Sequence, residues 1–311
     1  MKKRKKAYTM KPYYQQNGIT IYNNDNLEVL KTLPSNSISL IYCDILYNTG
    51  KKFDDYEDIL GEPKEAMEWY RPRFEEMKRT LKKNGSIFIH CNWRLDSYMR
   101  ILLDEIFGTD CFRNRIYRKH SDKRGFYSNF DSQVDIILYY VRNSDSFIFH
   151  ELKNDQLKVI PLYENGYVPE RSYTYEIDGV TVDPASLNKH WLITKSQLEK
   201  LVSKDEVVVI DSLPYRQTYA IPIGNLWAED VMLDPYSRSV VAESYDTPKP
   251  NAVLERIIQM CSDEGDTVAD FFLGGGTTAV VAKEKKRNGI FCDISKKACD
   301  VTIQKLENLN K

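Results

Sequence analysis

The residues that most restrict how this chain can fold run from Val268 to Thr278: Val-Ala-Asp-Phe-Phe-Leu-Gly-Gly-Gly-Thr-Thr. A short apolar strand reaches an acid, Asp270. A turn of three glycines follows (Gly274, Gly275, Gly276), and a helix opens at Thr277 and Thr278 and runs on through Ala279, Val280, Val281 and Ala282. Glycine turns sharply and lets backbone approach a ligand, because no Cβ intervenes. The helix that opens there points its free N–H groups at the same place. A tight turn in any α/β protein would show the same triplet. The next strand, Gly289-Ile-Phe-Cys292, ends in Asp293 and moves the reading. An acid about 20 residues beyond such glycines suits a ribose hydroxyl. The unit therefore reads as a holder for a nucleoside-type cofactor.

At 311 residues the chain can bury a full core and hold one large domain with an insertion. Hydrophobic residues at 42% and charged residues at 29% place it among soluble globular proteins. No apolar run has membrane-spanning length, so no membrane partner is expected. The start, Met1-Lys-Lys-Arg-Lys-Lys6, is basic but has no apolar stretch after it, unlike a secretion signal. Six scattered cysteines without a Cys-x-x-Cys pair read as buried reduced thiols of a cytoplasmic protein. Four distant histidines offer no metal spacing, so no metal is expected. Net charge is −1 and argues for no particular partner, but its distribution is suggestive. Arg113, Arg115, Arg118, Lys119, Lys123 and Arg124 crowd together beside Tyr117, His120, Phe126 and Tyr127. Basic residues with aromatics between them suit phosphates and bases, although a solvated loop has the same composition.

In chain order, Ile19–Tyr22 reads as a strand, and Asp25 and Asn26 suit the cap of a helix through Leu27, Leu30 and Leu33. Ile38–Cys43 is nearly all apolar, as in a central parallel strand, and runs into Asp44-Ile-Leu-Tyr47-Asn48-Thr49-Gly50. Residues 63–81 have helical spacing, with Asn84-Gly85 read as the stop. Ser86–His90 is a third strand, a helix through Tyr98 and Ile106 follows, and Asn114–Arg118 and Val134–Val141 complete this half. From about Arg142 to Asp234 short apolar runs alternate with turns: Phe147–Phe149, Lys158–Pro161, Tyr173–Ile177, Gly179–Val182 and Glu206–Ile210, with one helix at Lys195–Val202. A β-rich insertion fits that pattern. Pro248 and Pro250 mark a join, Asn251–Cys261 is a helix, and an amphipathic helix from Ser295 to Leu309 ends the chain. Strands alternate with helices at both ends, so both ends belong to one parallel sheet. The glycine unit usually starts such a sheet. Here it comes last, so the α/β sheet is circularly permuted. The expected divisions are a basic arm 1–17, halves at 18–141 and 235–311, and an insertion at 142–234.

Asp44 and Tyr47 stand where α/β sheets place ligands, at the carboxyl end of a central strand. An acidic acceptor and an aromatic face three residues apart suit a planar base carrying an amino group. The two constellations together resemble the β-class DNA amino-methyltransferases, which act on adenine N6 or cytosine N4. The family's cofactor motif, Asp-Pro-Phe-x-Gly-Ser-Gly-Thr-Thr, is similar to Asp270–Thr278, and its catalytic motif, Asp-Pro-Pro-Tyr-Asn-Thr-Gly, is similar to Asp44–Gly50. Thr247-Pro-Lys249-Pro250 with Leu254-Glu-Arg256-Ile-Ile258 resembles the helix before the cofactor motif, and Asn24–Leu27 with Leu33-Pro34 and Ser37-Ile38 the lead-in. The resemblance covers residues 18–145 and 224–311 in the family's permuted order.

The resemblance implies a seven-stranded Rossmann-like methyltransferase sheet with a target-recognition insertion, and S-adenosyl-L-methionine as cofactor. It implies a cofactor site at Asp25, Lys249, Asp270, Phe272, Leu273, Gly274, Gly276, Thr277 and Asp293. Asp293 would take the ribose hydroxyls, Lys249 the methionine carboxylate, and Asp25 would lie near the adenine ring. It implies a catalytic site at Asp44, Ile45, Tyr47 and Asn48: the Asp44 carboxylate and the Ile45 carbonyl accept the target amino group, and Tyr47 stacks on a flipped-out base. Arg115, Arg118, Lys119, His120, Lys123 and Arg124 would contact double-stranded DNA. A homodimer and a restriction endonuclease partner fit a restriction–modification system. Asp at the first motif position favours adenine N6, with cytosine N4 as the alternative. The family's two prolines are Ile45 and Leu46 here, which leaves a catalytically silent DNA-binding subunit as a further reading, because proline stiffens the loop and carries no N–H.

Overall fold

The computed structural model describes residues 10–52, 57–58, 60–119, 134–220, 224–227 and 251–309. Residues 1–9 of the basic arm expected at 1–17, together with His120, Lys123, Arg124 and Lys249, lie outside the described residues. Two compact units emerge: Met1–His150 with Gly224–Lys311, and Glu151–Ile223. The second is narrower than the expected 142–234. Its N-terminal flank belongs to the first unit, where Ile148 N–H donates to the Asn84 carbonyl (3.2 Å) and His150 N–H to the Met260 carbonyl (2.7 Å).

The first unit is built on one sheet. Its strands are β1 (Tyr14–Gln16), β2 (Ile19–Asn23), β3 (Ile38–Asp44), β4 (Leu81–Cys91), β5 (Phe112–Lys119), β6 (Val134–Val141), β7 (Leu226–Trp227), β8 (Thr267–Asp270) and β9 (Asn288–Asp293). In space the order is β1-β2-β9-β8-β3-β4-β6-β5-β7. Strands β2, β9, β8, β3 and β4 run parallel, and β6 is antiparallel to both β4 and β5. The seven expected strands are therefore present, with short β1 and β7 added at the two edges. The chain enters β3 before it makes β8, yet these strands are neighbours at the sheet centre, which is the permutation in spatial form.

Helices α1 (Asn26–Thr32), α2 (Pro63–Thr80), α3 (Asp96–Phe107), α4 (Asn251–Cys261) and α5 (Thr277–Glu284) lie between these strands, and α6 (Lys296–Asn308) follows the last of them. Their ends follow local chemistry. The Asp25 carboxylate caps α1, the Glu62 side chain and Glu65 form a capping box on α2, and the Ser295 hydroxyl caps α6. The expected stop at Asn84-Gly85 is corrected: α2 ends at Thr80 and the chain goes straight into β4. Gly85 serves close packing instead, since a Cβ there would meet the Ser39 carbonyl at 2.9 Å. The core follows the apolar strands, with Ile41, Cys43, Ile87, Ile89, Leu138, Val268, Ala269 and Phe291 buried. All six cysteines are free and buried.

The second unit has a three-stranded antiparallel sheet, Val207–Ile210, Leu213–Ala220 and Lys153–Pro161, with the hairpin Tyr175–Ile177/Val180–Val182, the longer-range pair Tyr163–Asn165/Lys189–Trp191 and the helix Lys195–Val202. Asp178 and Gly179 both take positive φ, the left-handed pair that a two-residue hairpin needs. Trp191, fully buried, stacks on Tyr173 at 5.1 Å and anchors a core with Leu162, Ile177, Val182, Leu198 and Val207. Phe147–Phe149, expected as a strand, is irregular. The strands Tyr163–Asn165, Lys189–Trp191 and Leu213–Ala220 add to those the sequence predicts.

Gly276 caps α5 at φ +78°, and a Cβ there would lie 2.2 Å from Thr302 Oγ1 of α6. Gly276→Ala is expected to lower stability by about 1–3 kcal/mol, through left-handed strain and the clash together. Chemical denaturation measures it, and an unchanged midpoint would contradict this packing.

Candidate active site

Strands β3 and β8 lie side by side and parallel, and the chain goes on from β3 to β4 on one side of the pair and from β8 to β9 on the other. Such a divergence opens a crevice where open α/β sheets bind ligands. Asp270, Asp44 and Asp293 end β8, β3 and β9 around it.

Asp270 is buried and shapes the glycine turn from inside. Phe272 N–H donates to Oδ1 (2.9 Å), and the Thr278 hydroxyl in the first turn of α5 donates to Oδ2 (2.6 Å). Burial raises its pKa to about 7, partly offset by those two hydrogen bonds, while the charges of Asp44 and Asp293 push it up further. Its carboxyl thus faces the loop. On the other side, Asp293 accepts from Gly274 N–H through Oδ2 and from Ser295 N–H through Oδ1, both at 2.8 Å. Leu273 N–H donates to the Cys292 carbonyl (3.1 Å), and Gly276 N–H to the Leu273 carbonyl (3.0 Å). Gly274 takes φ +51°. Thr277 opens α5. Phe272 lies 6.3 Å from both Trp69 and Tyr70 of α2, so an aromatic wall flanks the turn.

Asp25 sits at the end of β2, but its carboxylate is already engaged. It caps α1 through Leu27 N–H (2.9 Å) and pairs with buried Arg73 at 2.6 Å. Arg73 also bonds Asn26, whose amide donates to the Phe271 carbonyl (2.9 Å). Asp25 and Asn26 therefore tie α1 and α2 to the start of the glycine turn.

In the catalytic-motif stretch, Asp44 lies partly exposed at the end of β3 and accepts the Tyr47 hydroxyl at 2.7 Å. Burial, then the Asp44 charge, hold the Tyr47 phenol well above its ordinary pKa. Proline at position 45 would remove an N–H, yet the Ile45 N–H donates to the His90 carbonyl (3.2 Å), extending the β3–β4 ladder by one bond. The Leu46 carbonyl accepts the Tyr70 hydroxyl (2.8 Å), and the Tyr47 carbonyl accepts the Asn92 amide (3.2 Å). Packing and hydrogen bonds thus hold the turn that prolines would stiffen. Asn48 shapes the loop beyond. It takes φ +52°, donates its N–H to Asp58, and spans Leu60 N–H and the Gly61 carbonyl with its amide. Asp58, 4% exposed, also collects the Thr49 N–H and hydroxyl.

Sequence reading missed a layer behind Asp44. His90, opposite Asp44 in the β3–β4 register, is fully buried. Its Nδ1 is hydrogen-bonded to the Tyr42 hydroxyl at 2.7 Å and lies 3.7 Å from Asp44 Oδ1; its Nε2 lies 3.5 Å from Asp135. Arg118 pairs with Asp135 at 3.1 Å and is buried, so this expected DNA contact is corrected to an interior ion pair. Arg115 faces Asp96 at 3.3 Å, and Lys119 is exposed at the end of β5. Only tertiary pairing could reveal this layer, because its members come from strands far apart in sequence.

The N6/N4 DNA methylase family model matches residues 38–305. The type II methyltransferase M.EcaI of Enterobacter cloacae is 29% identical over 285 residues, covering 82% of this chain and 62% of that protein. The Mod subunit of the type III restriction-modification enzyme StyLTI of Salmonella typhimurium is 26% identical, over 92% of this chain and 54% of its own length. The DNA adenine methyltransferase YhdJ of Escherichia coli is 25% identical, over 93% and 82%. The chain thus spans between about half and two thirds of the first two relatives. Among solved structures, the cytosine-N4-specific PvuII DNA methyltransferase matches with a TM-score of 0.56 at 15% identity, covering 96% of this chain and 95% of that one. Protein TTHA0409 of Thermus thermophilus, complexed with S-adenosyl-L-methionine, matches at 0.53 and 16% identity, over 93% and 94%. These two likenesses speak for the fold. By the match over residues 38–305, the chain belongs to the N6/N4 DNA methylase family.

Proposed function

We propose that this chain transfers a methyl group from S-adenosyl-L-methionine to N6 of an adenine extruded from double-stranded DNA at a specific sequence. The observation that carries this reading is the Asp44–Tyr47 pair at the end of β3, beside a glycine turn pinned between Asp270 and Asp293. The turn fits such a cofactor. A carboxylate has about four lone-pair sites, so Asp293 can hold Gly274 and Ser295 and still accept ribose hydroxyls. Helix α5 starts directly after the glycine turn, and its first N–H groups have no acceptor within the helix; Phe272 supplies apolar surface. When bound, S-adenosyl-L-methionine supplies an electrophilic methyl group on a sulfonium. The chain's own residues do the rest. Asp44 and the Ile45 carbonyl accept the two amino hydrogens, which localises a lone pair otherwise delocalised into the ring. Asp44, which accepts one of those hydrogens, takes the proton the nitrogen sheds. Positioning supplies much of the acceleration. Tyr47 stacks on the base: extrusion costs a few kcal/mol, and one stacking contact returns about 1–3 kcal/mol.

Asp at the first motif position and the adenine-specific relative YhdJ support adenine over cytosine. The bonded Ile45 N–H supports an active site over a silent one. The unit 151–223 is assigned to target recognition, and a homodimer and a restriction endonuclease to its cellular setting. Arg115 and Lys119 remain assigned to DNA, together with His120, Lys123 and Arg124. Asp270 is assigned to shaping the cofactor turn rather than to chemistry.

Expression in a host without DNA methylation, read by single-molecule sequencing, is expected to show N6-methyladenine at one short motif and none with Asp44→Ala. Methylated cytosine instead would overturn the choice of base. Soluble protein that binds the cofactor and modifies nothing would make it a silent subunit.

Tyr47→Ala is expected to lower kcat/KM roughly 5- to 150-fold, the equivalent of one stacked base. Tyr47→Phe keeps the ring and should retain most of the rate. Equal losses in both variants, measured by labelled methyl transfer, would assign the effect to the hydroxyl on Asp44 instead.

Asp270 titrates near 7 when folded, against 3.8 for the ordinary side chain. Between these values the unfolded chain is ionised and the folded one holds its proton, so stability falls as pH rises from about 4 to 7. Asp270→Asn, which keeps both loop hydrogen bonds in reach, should flatten that slope in urea titrations. A variant with the wild-type slope would show that Asp270 is ionised in the fold.

A further inference from the structure

The turn after β4 carries an aromatic that the methylation chemistry leaves unused. Trp93 is 57% exposed, unusual for the side chain with the largest apolar area. It follows Asn92, and Asn92 is the clamp on the catalytic loop. The Asn92 amide nitrogen donates to the Tyr47 carbonyl, and its side-chain oxygen accepts Arg94 N–H (3.1 Å). Its backbone carbonyl accepts Leu95 N–H (3.2 Å) and Asp96 N–H (3.1 Å), which starts α3. Trp93 is thus held one residue from a direct link to Tyr47, on the same carboxyl edge of the sheet. The Arg94 guanidinium lies 4.6 Å from the Trp93 ring centroid, and both side chains are exposed. A hydrogen-bonded turn therefore presents a cation and an aromatic plane together at the carboxyl end of β4, beside β3. That combination suits a stacked base next to a phosphate.

We propose that Trp93 and Arg94 form a contact with the duplex beside the extruded base. The indole stacks on the base pair left exposed by extrusion, and the guanidinium meets the adjoining backbone phosphate. This rests on the DNA-methylation reading above and adds to it the residue that offsets the lost stacking in the duplex. Neighbouring bases lose a partner when one base leaves the stack, and an inserted side chain restores part of that contact. Because Asn92 joins this turn to the Tyr47 loop, the contact on the duplex and the contact on the flipped base are made on one frame.

The test is labelled methyl transfer to duplexes bearing the target sequence, matched or mismatched at the target base, with wild type, Trp93→Ala and Trp93→Phe. On matched duplex, Trp93→Ala should lose roughly 5- to 150-fold in kcat/KM and Trp93→Phe far less. A mismatched base is cheaper to extrude, so the Trp93→Ala deficit should shrink there, which a purely structural lesion would not produce. S-adenosyl-L-methionine binding, measured by calorimetry, should match wild type. Active wild type with an unimpaired Trp93→Ala, or with equal deficits on both duplexes, overturns the contact alone. Wild type that neither binds nor methylates DNA overturns the reading beneath it as well.

Discussion

The parallel pairing of β3 with β8 is the constraint on which the site depends. Leu40 and Ile41 register with Val268 and Ala269, and the next strands of the sheet, β4 and β9, lie on opposite sides of the pair. The crevice between their ends takes one acid from each strand. Asp270 turns inward to hold the glycine loop, and Asp44 stays partly exposed. Equal chemistry in unequal surroundings yields two roles. A buried carboxyl flanked by Asp44 and Asp293 is costly to ionise and becomes a scaffold. The partly exposed one remains an acceptor at the crevice.

The same reliance on neighbours explains how the motif does without prolines. Proline would stiffen the chain between Asp44 and Tyr47 by removing freedom. Here the second strand, β4, provides the equivalent restraint by taking the Ile45 N–H, and α2 and Asn92 take the next two carbonyls. Three weak bonds from three elements replace covalent rigidity. The layer of Tyr42, His90, Asp135 and Arg118 beneath Asp44 is likewise assembled from β3, β4, β6 and β5. It draws one of the sequence's apparent DNA-binding arginines into the interior.

Legibility varied with the range of the forces involved. The helices Lys195–Val202 and Asn251–Cys261 were readable to the residue, because caps and 3.6-residue spacing are local. The hairpin at Asp178-Gly179 has local chemistry too. Leu213–Ala220 is hard to see in the sequence because proline, arginine and glutamine blur its alternation, and only pairing on both sides makes it a strand. The Asn84-Gly85 stop misled for the reverse reason: a local turn signal marks a tight approach of β4 to β3.

By itself, then, the sequence determined the sheet class, the permuted order and the three acids Asp44, Asp270 and Asp293, since strand period, glycine turns and motif order are properties of neighbouring residues. Tertiary structure decided what each acid does, that Arg118 is interior, that Asn48 and Asp25 shape loops, and that Asn92 links Tyr47 to Trp93. Those roles depend on burial and on partners tens to hundreds of residues away. Desolvation and hydrogen bonding act across space, and the linear order of residues does not carry them.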